Sequence, residues 1–206
     1  MDLSTRLFDD HLPVARRCLE HPFVQGIADG SLPRDRFVHY VGQDACFLDA
    51  FVRAYALALA KAPRAEVDAW KTLLDGGIDE LRLHRSYAER WGADLDPPAA
   101  PATSAYTDFL LRVAALEPVG HAAAAMAPCM RLYAWLGQSL APVASPESPY
   151  REWVDTYADP EFEGLAAELE RLVETSAGDQ GMMAGHYGTA MDLEYRFFDA
   201  AWPLER

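Results

Sequence analysis

With 206 residues, half of them apolar and 24% charged, the chain can build one domain with a substantial core and lacks the composition of a disordered segment. Its 18 Lys+Arg against 32 Asp+Glu leave a net charge of −14. With two lysines, Lys61 and Lys71, and no basic run, it has no face for nucleic acid or an anionic membrane.

Alanine occurs 35 times against 2 Ile and 11 Val, which favours helices over strands. The start, Met1-Asp2-Leu3-Ser4-Thr5-Arg6, carries an acid and no apolar signal core. No stretch of about 18 uncharged apolar residues follows, so no bilayer span is expected, and the cysteine usage fits a reducing cytoplasm. Cys18, Cys46 and Cys129 are odd in number and widely spaced, which excludes a disulfide framework and a CxxC zinc site.

Apolar spacing and Pro/Gly punctuation predict a first helix over residues 3–20, stopping before Pro22, then a short turn over 23–28 leading to Gly30. Ser31-Leu32-Pro33 reads as a helix start, and the helix runs to Lys61. Another helix fits 65–91. A stiff, Pro-rich loop over 94–101 follows. Further helices fit 104–116, 119–140, 150–157, 162–175 and 180–201. The expectation is one all-α bundle of about eight helices, a single domain over 1–206.

Three of these helices carry a reactive group on an apolar face. Phe37, Tyr40, Val41, Asp44, Phe47, Leu48 and Phe51 share a stripe, which sets Asp44 among core positions. An unpaired buried carboxylate is costly, so Asp44 either bonds to neighbouring backbone or lines a polar cavity. Ala122, Met126, Cys129, Tyr133, Leu136 and Leu140 form a second stripe, where Cys129 is either a small core hydrophobe or a nucleophile stacked one turn from Tyr133. Pro128 beside it kinks the helix and frees a carbonyl. On the last helix Tyr187, Met191, Glu194, Phe198 and Trp202 place Glu194 in an aromatic stripe, as a member of an internal salt bridge or of a site. Two acids, a thiol and several tyrosines converging in one interior describe a pocket with a nucleophile and acid/base partners.

Metal binding is disfavoured. Glu80 and His84 are i, i+4, but the Glu-x-x-His motif of carboxylate-bridged di-iron bundles is absent and His186 has no acid one turn away. Glu80–His84 therefore reads as a hydrogen bond along one helix face. Gly178-Asp179-Gln180-Gly181 lacks the following Lys and preceding strand of a phosphate loop.

The segments His21-Pro22-Phe23-Val24, Gly30-Ser31-Leu32-Pro33 and Phe37-Val38-His39-Tyr40-Val41-Gly42-Gln43-Asp44 resemble the TenA (thiaminase II) family. So do Pro128-Cys129-x-x-x-Tyr133 with Gly137, Tyr150-x-x-Trp153-x-x-x-Tyr157 with Phe162, and Glu194-x-x-Phe197-Phe198-Asp199-x-Ala201-Trp202. The resemblance spans nearly the whole chain in order. It implies a haem-oxygenase-like α-bundle, a homotetramer, no cofactor and no metal, and aminopyrimidine aminohydrolase activity in thiamin pyrimidine salvage. It also implies Cys129 as nucleophile, Asp44 and Glu194 as its two acids, and Tyr106, Tyr133 and Tyr157 as pocket aromatics. Phe47 stands where many members have Tyr.

These residue types suit the chemistry. A thiolate adds to an electron-poor pyrimidine when a carboxylic acid engages a ring nitrogen. The expected division of labour gives Glu194 the pyrimidine edge, Asp44 the thiol proton, and Phe47 with Tyr133 or Tyr157 the ring faces. Cys129 is then expected to be the one reactive thiol of three. Trp70, Trp135 and Trp153 are expected to exceed what one bundle can bury, in keeping with a tetramer. Two alternatives share the fold: a non-catalytic small-molecule binder and a metal-dependent oxidase relative.

Overall fold

The alanine run at residues 122–125 becomes the middle of the bundle. In the computed structural model, which describes residues 2–202 apart from the side chains of Leu83 and Tyr87, it lies in helix α7 (Val119–Leu140), buried at every position from Val119 to Pro128. Both ends of the 1–206 span expected as one domain fall outside those residues. Small side chains let neighbouring helices approach α7 closely, and it touches α4 (Arg34–Lys61), α6 (Pro101–Leu116), α8 (Arg151–Ala158), α9 (Pro160–Thr175) and α10 (Gln180–Ala201). Helix α5 (Val67–Trp91), entered through a 3-10 turn at Arg64–Glu66, packs on α4 and α9. The described residues contain no strand, and none of the helices is long and apolar enough to cross a membrane.

The described residues form ten α-helices where about eight were expected, and both extra helices lie near the N-terminus. The single helix expected over 3–20 is two, α1 (Leu3–Asp10) and α2 (Leu12–Leu19). Pro13 forces the break: a ring in mid-helix removes an N–H and clashes with the preceding turn, so it sits in the first turn of a new helix. His11 occupies the joint, with its Nδ1 2.8 Å from the Leu7 carbonyl oxygen.

The segment expected as a turn over 23–28 is helix α3 (Pro22–Asp29). Pro22 supplies a first turn that needs no N–H, and His21 Nδ1 accepts from the Phe23 N–H at 3.2 Å. Gly30, at φ 83°, closes the far end in a left-handed conformation that favours glycine. Pro at the start and Gly past the end are the marks of a short helix as well as of a turn.

Trp70 and Trp153 are buried within the one chain, and Trp135 packs edge-on to Phe8 at 6.0 Å. Of these three tryptophans Trp135 alone stays partly exposed, so the expected excess is confined to that residue.

Candidate active site

Five long helices and α8 each turn one or two polar or aromatic side chains into the same interior. Asp44 and Phe47 come from α4, Glu80 and His84 from α5, Tyr106 from α6, Cys129 and Tyr133 from α7, Tyr157 from α8, and Glu194 from α10. Asp44 and Glu194 are 5% and 2% exposed, which is where stripe periodicity sets them.

Neither acid is left unpaired. Tyr106 donates its hydroxyl to Glu194 Oε1 at 2.7 Å, and the Cys129 thiol hydrogen-bonds the same carboxyl group. Burial pushes the Glu194 carboxyl up to about 8, with the Asp44 charge acting in the same direction and the two hydrogen bonds opposing it. At neutral pH Glu194 therefore holds a proton it can give. His84 Nε2 lies 2.7 Å from Asp44 Oδ2. Burial works against a charged His84, yet the Asp44 carboxylate outweighs it and raises the imidazole to about 9. Asp44 and His84 thus form a buried ion pair.

Cys129 is partly accessible although its α7 neighbours from Val119 to Met130 are buried. Burial, and then the charges of Glu194, Glu80 and Asp44, hold it well above the usual thiol range. The resting sulfur is therefore a protonated thiol that needs a proton acceptor before it can act as a nucleophile. Its carboxyl partner is Glu194, where Asp44 was expected, because Asp44 is taken by His84.

Rings enclose these groups. Phe47 lies 4.8 Å from Tyr106, 5.3 Å from Phe51 and 5.9 Å from Phe197. Tyr133 meets Tyr157 edge-on at 4.8 Å and Phe198 at 5.6 Å. Its hydroxyl is 3.4 Å from that of Tyr40, which accepts from Trp153 Nε1 at 3.2 Å. A small cavity of about 10 Å³ lies among Tyr40, His84, Trp153, Thr156 and Tyr157.

The structure brings Asp44, Cys129, Glu194, Tyr106, Tyr133, Tyr157 and Phe47 into one interior, and adds His84, Glu80 and Tyr40. Glu80 and His84 had a sequence signal in their i, i+4 spacing. The bond between them runs from the His84 ring to the Glu80 backbone oxygen (3.1 Å), while the side chains reach across to Tyr157 and Asp44. Periodicity reports which face a residue is on and says nothing of the helix opposite.

His186 likewise finds its acid from another element. Glu117 Oε2, just past α6, sits 2.6 Å from His186 Nε2 and 3.0 Å from His121 Nδ1. The Asp179 N–H donates to His121 Nε2 at 3.0 Å, which assigns the other ring proton to Nδ1, and Arg112 holds Glu117 Oε1 at 2.7 Å. Two imidazoles and a carboxylate are a possible metal-ligand set. The lone pair His121 would need is already taken by Asp179, and the guanidinium opposes a cation, so the trio is a hydrogen-bonded clasp joining α6, α7 and α10.

Known proteins resemble this chain in sequence and fold. The model of the TENA/THI-4/PQQC family matches residues 8–203. An aminopyrimidine aminohydrolase of Halalkalibacterium halodurans is 32% identical, over 98% of this chain and 96% of its own length. The thiamine biosynthesis multifunctional protein ThiED of Corynebacterium efficiens is 38% identical over 89% of this chain, which spans only 26% of that longer protein. Among solved structures, a TenA homologue from Pyrococcus furiosus superposes with a TM-score of 0.91 at 21% identity, covering 97% of this chain and 100% of that one.

Proposed function

This chain belongs to the TENA/THI-4/PQQC family, and from that premise we propose that it is a thiaminase II-type hydrolase acting in thiamin pyrimidine salvage. It would convert an aminomethylpyrimidine to the hydroxymethylpyrimidine with Cys129 as nucleophile. The observation that carries this reading is the Tyr106–Glu194–Cys129 chain, in which a partly accessible thiol bonds a carboxyl group that keeps its proton.

In the proposed reaction Cys129 S–H adds across a ring C=N bond. Sulfur bonds to carbon, Glu194 takes the thiol proton on one oxygen, and Glu194 gives its own proton to the ring nitrogen from the other. The nitrogen electron pair then expels the amine from the methylene, water adds to that carbon, and the sulfur leaves with a proton. The sum is amine plus water to alcohol plus ammonia. Asp44, paired to His84, orients the pyrimidine's amino group, and Tyr106 holds Glu194 in place. Phe47, Tyr133 and Tyr157 hold the ring, with aromatic contacts worth roughly 0.5–1.5 kcal/mol each beyond area. The scheme uses no cofactor.

The test is turnover of 4-amino-5-aminomethyl-2-methylpyrimidine, followed by ammonia release, beside thiamin. We expect the aminomethyl compound to be preferred, since a thiazolium leaving group must part the Tyr157–Glu80 contact that borders the inner space. Cys129→Ser should lose at least ~100-fold in kcat, about 2.7 kcal/mol, and keep affinity for the hydroxymethyl product. Retention of more than about a tenth of the rate overturns covalent catalysis. Binding of the product with turnover of neither substrate selects the non-catalytic binder.

The resemblance also implies a cytoplasmic homotetramer. Leu116 at 79% and Val143 at 74% exposure are large apolar residues that a partner chain could cover. Light scattering at micromolar concentration is expected to give four times the 22.8 kDa chain mass, and a monomer would refute it.

A further inference from the structure

Three carboxylates border the proposed reaction centre, and two are committed. Asp44 is held by the His84 cation and Glu194 by Tyr106 and Cys129. Glu80 is different. Its Oε1 accepts from the Tyr157 hydroxyl at 3.0 Å, and the positive charge that acts on it, His84 one turn along α5, is itself paired to Asp44. It is half-buried, and beyond it lies a cavity of about 360 Å³ between α5 and α9, with Phe162 and Leu165 as the apolar wall. Asp79, Asp159 and Glu161, all exposed, carry that cavity out to solvent. Thr156 borders both this outer cavity and the small inner one, so Glu80 and Tyr157 stand together between the two.

We propose that Glu80 is the specificity-determining counter-ion for the substrate's cationic amine, and that the outer cavity is the route by which the released amine departs. The proposal rests on the hydrolase reading. A pyrimidine whose ring is held by Phe47, Tyr133 and Tyr157 has its aminomethyl group as the one positive charge at neutral pH. Of the three carboxylates, Glu80 is the one that a new cation would complete. A charge-assisted hydrogen bond between ammonium and carboxylate is roughly twice as strong as a neutral one. The Tyr157 hydroxyl then fixes the carboxylate without neutralising it. Burial, chiefly, raises the Glu80 carboxyl to about 7, and a bound cation would favour the ionised form. The acids outside offer the freed ammonium a path of favourable potential away from Cys129.

The experiment compares a charged and a neutral ligand of one shape. Wild type and Glu80→Gln are assayed for KM with 4-amino-5-aminomethyl-2-methylpyrimidine and for Kd with the uncharged hydroxymethyl product. Glu80→Gln should raise KM at least ~10-fold, the equivalent of about 1.4 kcal/mol, with product Kd changed less than about 2-fold. Glu80→Asp should recover part of the loss because it restores the charge. Asp68→Asn, which removes an exposed charge on the same helix, should change neither value. A Glu80→Gln enzyme that weakens both ligands alike, or neither, overturns the role of Glu80 and leaves the hydrolase reading standing. Wild type that binds neither pyrimidine overturns that reading, and this inference with it.

Discussion

Three thiols in one chain show how far environment divides a single residue type. Cys18 is fully packed in α2, and burial first, then the Glu194 charge, pushes it up to about 12. Cys129 is held well above its usual range by burial and three acids. Cys46 is half-buried beside an outer cavity of about 600 Å³, gives its S–H to the Pro97 carbonyl at 3.4 Å, and is raised mainly by burial. Iodoacetamide reacts with thiolate that it can reach. Substrate-free protein at neutral pH should therefore be alkylated at Cys46 first, Cys129 slowly and Cys18 least, read by mass-mapped peptides over time. Fast labelling of Cys129 without ligand would mean that its sulfur is ionised at rest and that Glu194 does not govern it. Sequence made Asp44, Cys129 and Glu194 visible because each is a polar residue on an apolar stripe. It hid the pairing, since whether the thiol bonds Glu194 or Asp44 depends on how α4, α7 and α10 are set side by side.

At the scale of elements, one contact ties helix packing to the site. Cys129, Tyr133 and Gly137 lie on one face of α7 at successive i+4 steps, and at Gly137 the backbone of α8 comes in directly. A Cβ there would lie 2.3 Å from the Tyr157 carbonyl carbon and 2.5 Å from Ala158 N. Backbone cannot give way as a flexible side chain can, so α8 and Tyr157 would have to move together. Gly137→Ala gains about 1 kcal/mol of helix propensity and should lose more than that to overpacking, typically 1–3 kcal/mol. Gly164 on α9, where a Cβ meets nothing within 4 Å, is the matched control. Gly164→Ala should raise Tm slightly, while Gly137→Ala should lower it and raise KM for the pyrimidine. Equal Tm for the two variants would show that α8 is free to shift. Helix boundaries were legible where apolar periodicity was long, as in α7 and α10, whose expected ends coincide with the observed ones. They were not legible in the first 30 residues. Eight-residue helices such as α1, α2 and α3 are too short for periodicity to separate from turns, and Pro and Gly mark both.

For the whole molecule, the buried site and the clasp at Glu117 place opposite demands on pH. Glu194 and Glu80 are raised from 4.5 to about 8 and about 7, chiefly by burial. A group whose folded value is raised lends stability that is whole below its unfolded value and is lost as pH climbs through the folded one. Both carboxyls therefore cost stability progressively above pH 4.5. His84, raised from 6.5 to about 9 as Asp44 overcomes its burial, has the same sign and loses its contribution toward pH 9. Glu117 runs the other way. Burial would raise it, but bonds from His121, His186 and Arg112 hold it at about 2, so its contribution is present above 4.5 and is lost as pH falls toward 2. Glu163, paired with Arg131, is also lowered and acts in the same sense. Self-repulsion from the −14 charge fades as pH drops toward the pI of about 4.7. Stability should therefore peak near pH 5, not at neutrality. Melting curves from pH 3 to 9 should show Tm falling by at least ~5 °C between pH 5.5 and 9, taking roughly 2–4 °C per kcal/mol for a chain of this size. Glu194→Gln removes one ionisation and should flatten that alkaline limb while leaving the acid limb in place. A Tm that is level or rising from pH 5.5 to 9 would mean that Glu194, Glu80 and His84 do not hold these protons in the folded chain, and the proton that Glu194 gives in the proposed reaction would have to come from elsewhere.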